Sequence, residues 1–113
     1  MALTGEITEF EGFFAVRFID RNYKSGVGDF PDDRDWPFDF FYGGDKLEHD
    51  EYELVGIEIL DVSLITEDWL AELDKFDLPR VDIPEFGFAD ASLSEVLRWA
   101  RMTYPSRYEE AAG

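Results

Sequence analysis

The apolar pattern of the first twenty residues reads as strands. Residues 3–10 alternate around Ile7, and residues 13–20 (FFAVRFID) form a stronger strand pattern. In the second run Phe14, Val16 and Phe18 share one face, while Phe13, Ala15, Arg17 and Ile19 share the other. Glu11-Gly12 between the runs suits a tight turn. Residues 22–37 lose the alternation and read as one long loop, punctuated by Gly26, Gly28, Pro31 and Pro37. Residues 38–42 (FDFFY) then form a short aromatic strand, broken by Gly43-Gly44-Asp45, and residues 46–50 form a polar connection. Residues 52–62 (YELVGIEILDV) carry the clearest alternation in the chain. Val55, Ile57 and Ile59 fall on one face there, and Leu54, Gly56, Glu58 and Leu60 on the other. A glycine inside such a run predicts a bulge or a close backbone approach at Gly56.

From Thr66 the period becomes helical. Thr66 suits an N-cap, and Glu67 and Asp68 suit the positive end of the helix dipole that follows. Trp69, Leu70, Leu73 and Phe76 recur at helical spacing, and Pro79 marks the end. Residues 81–90, with Pro84 and Gly87 around Phe86 and Phe88, read as an extended connection. Ser92-x-x-Glu95 is a capping-box pattern. It opens a second helix striped by Leu93, Val96, Leu97 and Ala100 and stopped by Pro105. Strands first and helices afterwards is the α+β order. The expected fold is a three- or four-stranded antiparallel sheet followed by two helices packed on one face. Residues 1–113 form one domain of ordinary size, with a tail that frays from about residue 109.

Charge changes the picture. The chain holds 10 Lys plus Arg against 27 Asp plus Glu, a net charge of −17. Disordered acidic chains are poor in aromatics, whereas this one is 17% aromatic with 11 Phe, so the pattern is that of a folded acidic domain. The acid is concentrated: residues 29–77 hold 17 acidic and 3 basic groups, and residues 91–107 hold one acid, Glu95, and three arginines. Such a charge repels nucleic acid and anionic lipid, and complements a basic protein surface. No direct nucleic-acid or membrane partner is expected. The absence of cysteine excludes disulfide scaffolds, thiolate metal sites and cysteine nucleophiles. No apolar run approaches the ~20 residues of a membrane span, and no leader-like opening is visible, so a cytoplasmic location is expected.

Asp29, Asp32, Asp33 and Asp35 do not match a calcium loop, because Trp36 and Pro37 stand where a ligand and a glycine are required. The one histidine, His49, cannot build a two-histidine metal site, and no nucleophile with a partner base is evident. No metal, no cofactor and no catalytic residue is therefore expected, and the chain is read as a non-enzyme. The candidate partner-binding residues are Asp29, Asp32, Asp33, Asp35, Trp36, Asp45, Glu48, Asp50, Glu51 and Glu53. Alternate residues of a strand lie ~6.6 Å apart on one face, close to phosphate spacing, and the pairs Asp33/Asp35 and Glu51/Glu53 have that register. Trp36 stands among crowded aromatics, either as a core anchor or as an exposed hot spot rimmed by aspartates.

The stretch Leu54-Val55-Gly56-Ile57-Glu58-Ile59-Leu60-Asp61-Val62-Ser63 resembles the closing strand of a family of small bacterial proteins of unknown function. Their sequences end in V-G-I-E-I-L-D-A-S after an acidic turn. They are compact β-rich modules, some encoded beside toxin–antitoxin-like genes. The similarity covers about a tenth of the chain. It implies a strand ending at Val62 and a bacterial or phage setting, and it assigns no catalytic residue. The family's turn is usually D-x-D-G, where this chain has Asp50-Glu51-Tyr52-Glu53, and the helices after Thr66 have no counterpart there.

Together these features lead to the expectation of an acidic inhibitor that binds a basic surface of a nucleic-acid-handling protein or complex. The anti-CRISPR, anti-restriction and nuclease-immunity classes have this character, and carboxylates would stand where phosphates lie. The alternative is a structural or regulatory interaction module with no nucleic-acid-related partner. Either reading leaves a homo-oligomer open.

Overall fold

The computed structural model describes residues 2–21, 25–28, 31–44 and 53–108. Two alternating segments form the first hairpin, β1 (Leu3–Phe10) and β2 (Phe13–Phe18). Phe10 pairs with Phe13 across a two-residue turn. Glu11 and Gly12 both take positive φ, 48° and 93°, the backbone that matches the twist of a hairpin. The short β3 (Ser25–Val27) pairs with β4 (Phe38–Gly43), and β4 pairs with β5 (Glu53–Ile59). β5 returns to pair with β2.

The strand expected over residues 52–62 ends earlier, at Ile59. Asp61 turns the chain there: its side chain caps a 3₁₀ turn, Val62–Leu64, by accepting from the Ser63 amide. Helix α1 (Glu67–Leu73) begins at Thr66, whose side chain accepts from the Trp69 amide. Residues 81–91 are not a plain connection. They hold β6 (Val81–Ile83) and β7 (Phe88–Ala91) around a 3₁₀ turn at Pro84–Phe86. Helix α2 (Leu93–Thr103) opens on the Ser92/Glu95 capping box.

The sheet has seven strands in the order β3-β4-β5-β2-β1-β6-β7. The expected three or four antiparallel strands therefore understate it, and it is mixed: β1 and β6 run parallel, with Leu3 beside Val81. The α+β class stands. The extra strands are three or four residues long, too short to show a period, and β6 finds its partner almost eighty positions upstream.

One face of the sheet builds the core. Phe14, Val16 and Phe18 join Phe38, Phe40, Ile57 and Ile59, and all are buried. Leu70 and Leu73 of α1 and Leu93, Val96, Leu97 and Ala100 of α2 complete the same cluster. Each such side chain contributes roughly 1.5–3 kcal/mol of burial free energy. A β-bulge changes one expected partner of this face. The register passes from Phe41↔Gly56 to Tyr42↔Leu54, leaving Val55 as the extra residue. Leu54 thereby enters the core, and Val55, expected beside Ile57, lies outside the cluster although it is buried. Gly56 is required by close approach, since a Cβ there would lie 2.8 Å from the Val16 carbonyl oxygen.

Candidate functional site

The acidic loop is folded back on α1. Asp32 accepts from the Arg34 amide at 3.2 Å and from Trp36 Nε1 at 2.7 Å. Its other oxygen meets Arg34 Nε at 2.9 Å. The Arg34 guanidinium also reaches Glu72 of α1 at 3.1 Å and lies 5.0 Å from the Trp36 ring centre. Lys75 meets the same Glu72 oxygen at 2.9 Å. These partners lower the Asp32 carboxyl, chiefly through Arg34 and then Trp36, and lower Glu72 through Lys75 and then Arg34.

Trp36 is half-buried and packs on Trp69 at 4.8 Å and edge-on to Phe40 at 5.3 Å. Phe76 adds a third ring at 6.1 Å. Its environment is that of an anchor between loop and core. Asp33 and Asp35 are exposed in irregular backbone rather than on a strand, so backbone rise does not fix their spacing. Glu53 is exposed at the start of β5, 3.6 Å from Arg21. Asp29, Asp45, Glu48, Asp50 and Glu51 lie outside the described residues, as does His49.

A second acidic position follows from register. Asp39 of β4 stands directly opposite Glu58 of β5, on the sheet face that the helices leave uncovered. Asp39 also borders a small depression of about 140 Å³ shared with Asp32 and Asp35. On the other side, Glu58 borders a depression of about 270 Å³ lined by Phe13, Ala15, Arg17 and Phe41. Burial, and then the charge of Asp39, push the Glu58 carboxyl above its ordinary range. Like charges directly opposite each other on neighbouring strands are destabilising. The pair was missed in the sequence. The signal was present in F-D-F and I-E-I, each of which turns its carboxylate away from the core, but only the pairing of β4 with β5 sets the two face to face.

The most buried carboxylate serves the fold instead. Asp61 is 1% exposed. It accepts from the Ser63 amide at 2.9 Å, the Ser106 hydroxyl at 2.6 Å and the Arg107 amide at 3.1 Å. Burial alone would raise its carboxyl, but the donors outweigh it and bring it down to about 2. Among the described residues no group of three or more His, Asp or Glu is placed to hold a metal ion. No described helix is long and apolar enough to cross a membrane.

No protein-family model, curated protein or solved structure matches the chain. Its function is therefore argued from its own surface.

Proposed function

We propose that this chain is a non-enzymatic acidic inhibitor that binds a basic surface of a nucleic-acid-handling protein or complex, of the anti-CRISPR, anti-restriction or nuclease-immunity kind. One observation carries the reading. Arg21, Arg34, Lys75, Arg80 and Arg98 are engaged in internal ion pairs, while Asp33, Asp35, Asp39 and Glu58 have no ion pair among the described residues. The surplus of a chain with net charge −17 therefore stays outward. A field of that sign attracts a basic partner from a distance, speeds association and weakens with salt. The same partner would ordinarily hold phosphates, so nucleic acid and this protein would compete for it.

The test is competition. The immobilised chain is exposed to an extract of bacterial or phage-infected cells, and retained proteins are challenged with duplex DNA, RNA or salt. The expected result is a basic nucleic-acid-binding protein released by nucleic acid and by raising salt from about 50 to 300 mM. Retention that ignores both treatments would leave the acidic surface as a solubility coat. It would favour the structural or regulatory alternative.

A further inference from the structure

The sheet face opposite the helices offers a specific slot. Its depression of about 270 Å³ lies where β2, β4 and β5 meet. Phe13 and Phe41 supply aromatic surface and Ala15 a small apolar one, and Glu58 stands at the edge; Asp39, outside the lining, neighbours Glu58 on the β4 side. We propose that this slot docks an arginine side chain of a basic protein partner, with its stem against Phe13, Ala15 and Phe41 and its guanidinium between Asp39 and Glu58. The inference rests on the acidic-inhibitor reading and names the surface through which it would act.

Charge complementarity selects the occupant. Two carboxylates held opposite each other repel, and a cation between them turns that repulsion into two attractions. No described residue supplies the cation. Arg17 borders the same depression, but its register partners are Gly56 on β5 and Glu6 on β1. It forms no ion pair among the described residues. The wall chemistry favours arginine over lysine, because a planar guanidinium stacks on aromatic rings and offers separate N–H groups to two carboxylates. A second copy of this chain is disfavoured as occupant by its own net charge of −17.

The test uses the full-length ¹⁵N-labelled chain titrated with the blocked tripeptide Gly-Arg-Gly, with a Gly-citrulline-Gly peptide as the uncharged control. Arginine peptide should produce saturable shifts concentrated on the amides of Ala15, Phe41, Gly56 and Glu58, and citrulline should not. The Asp39→Asn, Glu58→Gln double variant, which neutralises both carboxylates, should bind at least about tenfold more weakly, the effect of losing even one charge-assisted contact. Its unchanged spectrum elsewhere would show that the fold persists. Arg17→Gln should tighten binding by removing a like charge. Shifts spread evenly over the acidic surface, or an affinity indifferent to the double variant, would overturn the slot while leaving the acidic reading intact. If the arginine peptide produces no salt-sensitive shift anywhere at low ionic strength, both readings fall.

Discussion

Replacing Asp61 by Asn removes one charge at nearly constant shape and tests the buried junction of the fold. One carboxylate oxygen accepts from both the Ser63 amide and the Ser106 hydroxyl, and the other accepts from the Arg107 amide. An Asn amide has only one oxygen. Whichever way it is turned, its NH₂ group faces a part-buried backbone N–H that cannot accept. An orphaned donor of this kind costs about 1–3 kcal/mol. The charge adds a separate contribution. With the carboxyl brought down to about 2 from 3.8, the shift is worth about 2 kcal/mol at neutral pH. A folded-state value below the unfolded one gives stability that is complete above about pH 4 and is lost as pH falls through about 2. The variant should therefore be about 3–5 kcal/mol less stable than the parent at pH 7, and the gap should narrow steadily between about pH 4 and pH 2. Urea unfolding followed by fluorescence of the three tryptophans measures this, with equal m-values confirming that the unfolded states are comparable. Ser106→Ala, which removes one donor but keeps the carboxylate, should cost only about 1 kcal/mol. A gap below about 0.5 kcal/mol at pH 7, or one that stays constant from pH 5 to pH 2, would refute the assignment of Asp61 as a charged junction.

Trp36→Ala should destabilise by about 3 kcal/mol, as for loss of a large ring from a packed site, and the melting temperature reads it directly. An unchanged melting temperature would restore Trp36 as a surface group available to a partner. Gly56→Ala should also lower stability, because the new methyl meets the Val16 carbonyl oxygen at 2.8 Å and backbone cannot yield as a side chain end can. Thermal unfolding equal to the parent would show that β2 and β5 separate easily at the bulge.

What was legible in the sequence was local. The turn at Glu11-Gly12, the Thr66 cap and the Ser92/Glu95 box each depend on residues within three or four positions, and each occurs where its residues predicted. The two helices follow from these caps and their apolar stripes. The sheet's true extent was hidden because β3, β6 and β7 are only three or four residues long and β6 joins the sheet through β1, far along the chain. Leu3, for example, donates its amide to the Arg80 carbonyl at 2.9 Å, a contact with no short-range signature. The same limit applied to the site. The aspartates of residues 32–35 were visible as charge, but Asp32 is committed to Arg34 and Trp36. Asp39 and Glu58 were visible only as outward positions until the β4–β5 register brought them together.

The carboxylates thus divide into two populations that mutation can separate. Those that meet cations or buried donors hold joints. Asp32 and Glu72 fasten the loop to α1 through Arg34. Glu67 clasps Arg98 with two bonds of 2.9 Å and ties α1 to α2. Asp90 and Glu95 hold Arg80 beside β7. Arg21, Arg34, Lys75, Arg80 and Arg98 are spent in such pairs, whereas Arg17, on the uncovered face, forms none among the described residues. Asp33, Asp35, Asp39 and Glu58 form no ion pair among the described residues. Asp39 and Glu58 even oppose the strand pairing that juxtaposes them. A single Lys at either position would relieve that repulsion at no cost to the core, since both side chains point away from it. These four are among the carboxylates that no described cation neutralises, and Asp39 and Glu58 are the two that the strand register sets face to face. If the chain binds a basic partner as proposed, that juxtaposition makes the uncovered face, as well as the acidic loop, a surface on which to test it.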